Sequence, residues 1–251
     1  MLTNAVIQGN FDPNRRDYAG VFADLLAELE RDPRPWGYHR VGSGTEFHPN
    51  PTAEITPFVL HLAGNGQMTV PKELANVVRV HSGLAYDDFF RTMHSMDVAL
   101  LAFAPASSEE TKGGYYEVQA SSSVAMAMMC EVPLMTTTHV QKVYTYTRSE
   151  LVSINRPAYF REIEAIKLLR AGRWDRPVQA PAEGGSAIDD DGDAPATGAD
   201  SPGDVIPPGV AEQAQRMIDG GWRRSEEGWR QWRAVVDREN REVARRLLMG
   251  W

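Results

Sequence analysis

The chain has 251 residues, of which 42% are hydrophobic, and a formal net charge of −8 at pH 7, so it can form a sizeable core. This acidic balance argues against nonspecific nucleic-acid binding, which favours a basic surface. The single cysteine, Cys130, excludes an internal disulfide and a cysteine-based metal cage. No secretion signal and no apolar run of 18 residues is present, so we expect no transmembrane segment and a cytoplasmic location.

The first unit of the chain has the pattern strand, loop, helix. Ala5–Gln8 predicts a strand, Gly9–Asn14 has turn chemistry, and the apolar spacing within Asp17–Glu30 predicts a helix. Residues 31–57 contain five prolines and predict an irregular excursion with one short strand near Tyr38–Val41.

The next hundred residues alternate between strand and helix patterns. Strands are predicted at 58–63, 77–81, 97–103 and 132–136, and helices at 86–94 and 121–130. The run 97–103 is almost wholly apolar, as is typical of a parallel strand covered on both faces. The pattern predicts an α/β fold with a Rossmann-like, doubly wound parallel sheet.

Composition divides the chain into three parts. Residues 1–171, which end with a helix predicted at 159–169, form the α/β domain. Residues 172–209, rich in Pro, Gly, Ala and Asp, predict a disordered acidic linker. Residues 210–251 regain helical periodicity and predict an amphipathic C-terminal helix with a tryptophan-bearing stripe. That stripe favours packing against a domain, and binding at a membrane surface is the alternative.

Two clusters are candidates for binding an anion. Ser121, Ser122 and Ser123 open the helix that follows the central strand, where free amides and hydroxyls suit phosphate; ordinary N-capping is the alternative. Arg15 and Arg16 follow the first strand in the loop that begins at Gly9, and their guanidinium groups suit phosphate oxygens. A solvated pair of arginines is the alternative. Gly9 is itself a candidate donor-binding residue.

Weaker candidates lie nearby. Gly64 and Gly66 flank Asn65 in the turn after the second strand, where a phosphate or sugar could approach the backbone closely, although most such turns are only turns. Glu117 could accept hydrogen bonds from ribose or sugar hydroxyls. The six histidines lack a metal-binding spacing, so no metal site is predicted.

Four segments carry a family resemblance: VIQGNFDPNRRDY, LHLAGNG, VVRVHSGLAYDDFFRTMHSMDVALLAFA and YYEVQASSSVAMAMMCEVPLMTT. In this order, over residues 4–147, they resemble the C-terminal, nucleotide-sugar-binding half of a GT-B fold glycosyltransferase of the fungal family 1 type. The resemblance implies a UDP- or GDP-sugar donor, no cofactor, and a diphosphate held by Arg15 and Arg16. It also implies a nucleobase near Gly83–Ala85 and a serine-opened helix that faces the phosphates or the sugar.

The sequence departs from that family in two ways. Met126 stands where many retaining members have a ribose-binding glutamate. The acceptor-binding half does not precede the first strand, so we expect an incomplete enzyme that needs an acceptor-binding domain or chain, and no catalytic base is identified. The alternative is a noncatalytic interaction protein that keeps the fold and binds a partner through its tryptophan-rich tail.

Overall fold

A computed structural model describes residues 1–103, 121–148, 152–156, 161–172 and 226–249. The strands are β1 (Asn4–Gln8), β2 (Tyr38–Arg40), β3 (Phe47–Pro49), β4 (Val59–Gly64), β5 (Val78–Ser82), β6 (Val98–Leu100), β7 (Leu134–Thr136) and β8 (Ser153–Asn155). The α-helices are α1 (Tyr18–Arg31), α2 (Tyr86–His94), α3 (Ser122–Met129), α4 (Thr138–Val143), α5 (Glu162–Arg170) and α6 (Glu226–Met249).

Six strands form one parallel sheet in the order β5-β4-β1-β6-β7-β8. Numbered along the chain, these strands have the 3-2-1-4-5-6 order of a doubly wound Rossmann-like fold, which confirms the predicted fold class. The strand order reverses between β1 and β6, so a crevice opens at the carboxyl ends of these two neighbours. Ligands of such folds bind in that crevice.

Both faces of the sheet are covered. On the face we call the α1 face, Ala5 and Ile7 of β1 pack in one apolar cluster with residues of α1 and α5. On the opposite face, the α3 face, Val6 packs in a second cluster with residues of α2, α3 and α6. Successive strand residues point to opposite faces, so a strand buried on both sides is apolar without alternation.

Helix α1 begins at a conventional cap. The Asp17 carboxylate accepts a hydrogen bond from the Gly20 amide at 2.9 Å. Val21, Phe22 and Leu25 are buried on the α1 face of the sheet. This cap fixes where the loop after β1 ends and the helix starts.

Helix α6 docks on the α3 face through its first turns. Trp229 is 1% exposed within the apolar cluster there, and the Trp232 indole N–H donates to the Tyr146 carbonyl at 2.8 Å. The Arg233 guanidinium pairs with the Glu131 carboxylate. Farther along, Val243, Leu247 and Leu248 are exposed. The packing interpretation of the tail is thus confirmed for Trp229 and Trp232.

The structure adds short elements that the sequence did not predict. Strand β3 pairs antiparallel with the predicted short strand, now β2, in a two-stranded ribbon separate from the main sheet. Helix α4 and strand β8 follow β7. The strand predicted at 97–103 ends at Leu100. Most of the predicted linker, residues 173–209, and the candidate Glu117 lie outside the described residues.

Candidate functional site

A pocket of about 100 Å³ opens at the reversal of strand order between β1 and β6. It lies between the loop that leaves β1 and the first turn of α3. Its lining residues are Gln8, Gly9, Asn10, Arg15, Arg16, Ser121 and Ser122. The serine cluster and the arginine pair, separated by more than a hundred residues in sequence, therefore meet at one site.

Gly9 lets the loop after β1 pass close to α3. Its φ is +143°, a conformation that side chains rarely adopt. A Cβ at this position would lie 3.3 Å from Arg16 Nη2 and 3.4 Å from Ser123 Oγ. The predicted role of Gly9 as a site residue thus has a geometric basis, because a side chain there would press on two neighbours of the pocket.

Arg16 is buried, and its guanidinium group joins three elements through hydrogen bonds. Only 5% of the residue is exposed, and its Nη1 donates to the Leu101 carbonyl at 2.6 Å. Its Nη2 donates to Ser123 Oγ at 2.5 Å and, at 3.4 Å, to the Gln8 carbonyl. The guanidinium also lies 4.8 Å from the centre of the Phe103 ring. Arg16 therefore holds β1, the end of β6 and α3 together around the pocket.

Arg15 is the accessible cation of the pair. Its side chain is 45% exposed, and Nε lies 3.3 Å from the Asp12 carboxylate. The backbone N–H groups of Arg15 and Arg16 both donate to the Asp12 carbonyl, at 3.1 and 3.0 Å, so a tight turn presents the two side chains. Arg15 thus brings a positive charge to the pocket from a position that solvent reaches.

The mouth of α3 has an unusual cap. Ser121 is the N-cap residue, yet its hydroxyl caps no helix amide. Among the described residues the Ser121 hydroxyl, which is buried, has no hydrogen-bond partner. Its backbone N–H donates to the Tyr144 hydroxyl at 2.8 Å. The Ser121 hydroxyl therefore remains available to a group that enters the pocket.

The three serines have different environments. Ser123 is 4% exposed, donates to the Gln8 carbonyl at 2.6 Å and accepts from Arg16, so it belongs to the hydrogen-bond network of Arg16. Ser122 is exposed and lines the pocket at the first position of α3. The first-turn N–H groups of a helix lack intrahelical partners and favour an anion. Ser121 and Ser122 thus line the pocket, and Ser123 holds the backbone beside it.

Gly64 and Gly66 lie beside the loop after β1 and are absent from the lining of the pocket. A Cβ on Gly64 would lie 1.7 Å from the Gly9 carbonyl oxygen. Gly66 has a φ of +114° and faces Phe11. Close packing accounts for the first glycine and backbone conformation for the second.

Two positions named by the family resemblance do not line the pocket. Gly83 follows β5, with a φ of +66° and open space around its Cα. Met126 lies on α3 and packs, partly buried, on the apolar cluster of the α3 face. Met126 is thus a packing residue where the resemblance expects a ribose-binding glutamate.

Three polar residues at this site were not predicted. Gln8 ends an otherwise apolar strand, and among the described residues its buried Oε1 atom has no hydrogen-bond partner. Tyr144 accepts the Ser121 amide, and the Glu162 carboxylate accepts the Ala102 N–H at 3.0 Å. A polar residue at the end of an apolar strand was the one available signal, and it pointed to Gln8.

Glu162 holds Ala102, a strained residue next to the Leu101 carbonyl that Arg16 contacts. Ala102 has a φ of +45°, which is uncommon for a residue with a side chain. Its N–H donates to Glu162 and its carbonyl accepts the Asp17 N–H at 2.8 Å. These bonds fix the chain just after the carbonyl that Arg16 contacts.

The described residues hold no group of three or more His, Cys, Asp and Glu side chains placed to bind a metal ion. None of the described helices has both the length and the apolar character needed to cross a membrane.

Burial raises the pKa of Tyr18 to about 12. The Tyr18 hydroxyl, 3.3 Å from the Asn10 carbonyl, is therefore a neutral donor beside the pocket.

No family model, curated protein or solved structure matches this chain. The residues around the pocket are therefore the basis of the functional proposal.

Proposed function

We propose that the pocket binds the diphosphate of a nucleotide diphosphate sugar, and that the chain is the donor-binding domain of a glycosyltransferase. The observation that carries this proposal is the Ser121 hydroxyl at the mouth of α3, which has no hydrogen-bond partner in the described part of the chain and lies in a pocket that Arg15 and Arg16 also line. Hydroxyl, amide and guanidinium donors converge there, and phosphate oxygens are acceptors.

The site supplies electrostatic stabilisation rather than a nucleophile or a base. When the bond between the sugar and the diphosphate breaks, negative charge grows on the departing diphosphate. Arg15 and the amino end of α3 both line the pocket, and we propose that they stabilise that charge while Arg16 and Gly9 hold the surrounding backbone. In this proposal the acceptor site comes from another domain or chain, and the donor is a UDP- or GDP-sugar, as the family resemblance implies.

Partner binding through the tail remains the second proposal. The exposed Leu247 and Leu248 at the end of α6 favour it. Trp229, however, is buried in the domain's own core, and the Trp232 indole N–H is bonded to Tyr146. The described tryptophans of the tail therefore stabilise the domain itself.

The test is calorimetric titration with UDP, UDP-glucose and GDP-mannose. Replacing both arginines together would change folding as well as binding, because Arg16 is buried and hydrogen-bonded inside the protein. We therefore choose Arg15→Ala, which should weaken binding by about tenfold, since a charge-assisted hydrogen bond contributes about 1.5–3 kcal/mol. Its matched control is Arg40→Ala, because Arg40 is 43% exposed and pairs with Glu30 at 3.2 Å, much as Arg15 pairs with Asp12.

Arg40→Ala should leave the affinity unchanged. The proposal fails if none of the three nucleotides binds at millimolar concentration. It also fails if Arg15→Ala and Arg40→Ala bind the nucleotide equally well.

A further inference from the structure

Gln8 lines the pocket, and its side chain carries an acceptor that a phosphate does not satisfy. Arg15, the Ser121 hydroxyl and the first turn of α3 offer hydrogen-bond donors, which suit phosphate oxygens. Gln8 Oε1 is an acceptor, and among the described residues no donor reaches it. Leaving a buried acceptor unpaired is unfavourable, so the carboxamide oxygen of Gln8 requires an explanation.

A phosphate diester carries acceptors and no donor. A ligand that satisfies Gln8 must therefore bring an O–H or N–H group together with its phosphate. Gln8 lines the same pocket, of about 100 Å³, as Arg15 and Ser121. A donor that meets Gln8 there therefore belongs to a group close to the phosphate.

The position of Gln8 is fixed by the same contacts that build the pocket. Its carbonyl accepts hydrogen bonds from Ser123 Oγ at 2.6 Å and from Arg16 Nη2 at 3.4 Å. Strand β1 pairs with β4 on one side and β6 on the other. The carboxamide therefore extends from a backbone that is held on both sides, and an acceptor at this place favours ligands with a matching donor.

We infer that Gln8 is a specificity-determining residue that accepts a hydrogen bond from a sugar hydroxyl close to the phosphate. The inference rests on the proposed function and deepens it, because it assigns recognition of the sugar to this chain. A ligand that keeps the diphosphate and lacks the sugar hydroxyls leaves Gln8 unpaired and binds less tightly.

The test uses two probes of equal charge. The first is the sugar nucleotide that binds in the calorimetric titration, UDP-glucose or GDP-mannose. The second is the diphosphate methyl ester of the same nucleoside, which has the same phosphates and ribose and lacks the hydroxyls of the transferred sugar. The parent chain should bind the sugar nucleotide about tenfold more tightly than the methyl ester.

Gln8→Met keeps a side chain of similar length and removes the acceptor. It should weaken binding of the sugar nucleotide about tenfold and leave the affinity for the methyl ester within twofold. Ser121→Ala, which removes a donor to the phosphate, should weaken both ligands by the same factor. The midpoint of thermal unfolding verifies that each variant is folded.

Equal weakening of both ligands by Gln8→Met would mean that the carboxamide contacts the phosphate, and it would overturn the inference. Unchanged binding of both ligands would overturn it as well. Either result leaves the diphosphate proposal standing, because the parent chain still binds the nucleotide. If the parent chain binds neither probe, the proposed function itself fails and the inference fails with it.

Discussion

Arg15 and Arg16 are adjacent in sequence and act in different ways. Arg16 donates hydrogen bonds to Leu101, Ser123 and Gln8 inside the protein. Arg15 stays accessible beside Asp12. A guanidinium has five donors in a rigid planar arrangement, so one buried arginine can tie several carbonyls together. The residue that suits a ligand is therefore the one whose side chain solvent reaches.

The buried histidine of β4 has a defined tautomer. The Asn4 side-chain amide donates to Thr3 Oγ1 at 2.9 Å, which leaves Asn4 Oδ1 to accept from His61 Nε2 at 3.2 Å. His61 Nδ1 then accepts from His81 Nε2 at 2.9 Å. Burial, and after it the charges of His81 and Arg79, lowers the pKa of His61 to about 4. The folded protein thus requires neutral His61.

We expect this histidine to make the protein less stable in mild acid. The unfolded chain binds a proton at His61 near its ordinary pKa of 6.5, whereas the folded chain does so only near 4. Stability should therefore fall as the pH drops from about 6.5 to about 4, by about 3 kcal/mol. Urea unfolding followed by tryptophan fluorescence at several pH values measures this loss.

His61→Leu should remove most of that pH dependence. His48→Gln, at a histidine whose side chain is 43% exposed, should retain it. A parent chain equally stable at pH 4 and pH 7 would contradict this account of His61.

At the scale of the element, the loops after β1 and β4 touch through glycine. The Gly9 N–H donates to the Ala63 carbonyl at 3.0 Å, and the Gly9 carbonyl lies against the Cα of Gly64. This contact sets the height at which the loop leaves β1, and therefore the position of Arg15 and Arg16 over the pocket. Gly64 does not line the pocket, and its contact with Gly9 positions the loop that does.

Gly64→Ala should destabilise the protein by about 3 kcal/mol. The added Cβ would lie 1.7 Å from the Gly9 carbonyl oxygen, and no rotamer change can move a backbone atom aside. Gly83→Ala is the control, because Gly83 has a positive φ and open space around it. Its cost should be about 1 kcal/mol, from backbone strain alone. Thermal unfolding of the two variants compares them, and equal losses would contradict the packing argument.

The elements found in the sequence were those with long signals. The strands around Ile7 and Leu62 and the helix face of Val21 and Leu25 each have a clear apolar period. Strands β3 and β8, in which one apolar residue is flanked by polar residues or proline, and the six-residue α4 show no such pattern, whereas the three-residue β6 and β7 lie within longer apolar runs. The strand predicted to reach Phe103 stops early because Ala102 turns to a φ of +45° and its N–H bonds Glu162, a contact across 60 residues.

The candidate site was predictable in its chemistry and not in its division of roles. Serines at a helix start and arginines after a strand are visible in the sequence, because both follow from the order of elements. The burial of Arg16 depends on Leu101 and Ser123, which lie 85 and 107 residues away in sequence. Such contacts exist only once the sheet has formed, so the sequence could not separate Arg16 from Arg15.

At the scale of the whole molecule, the carboxyl-terminal helix completes a core that begins at residue 6. Trp229 packs in the same apolar cluster as Val6, Met93 and Val124. The second half of α6 leaves this surface, and Leu247 and Leu248 are 78% and 87% exposed. One end of the helix is thus structural, and the other adds little to the stability of the domain.

Trp229→Ala should lower the free energy of unfolding by about 3–5 kcal/mol, because it empties a fully buried site. Leu248→Ala removes an apolar side chain from the exposed end of the same helix and should change that energy by less than about 0.5 kcal/mol. Urea unfolding monitored by circular dichroism distinguishes the two. Similar values for both variants would show that α6 does not belong to the core.

Tyr144 connects the end of the chain to the pocket. Its hydroxyl accepts the Ser121 amide, and its ring belongs to the cluster that holds Trp229. No described residue of α6 lines the pocket, yet we expect a ligand that fixes Ser121 to strengthen the docking of that helix through Tyr144. Coupling between two binding events is reciprocal, so releasing the helix would weaken the ligand by the same factor. A partner that holds helix α6, or a change that removes it, would then alter the affinity of the pocket for its ligand.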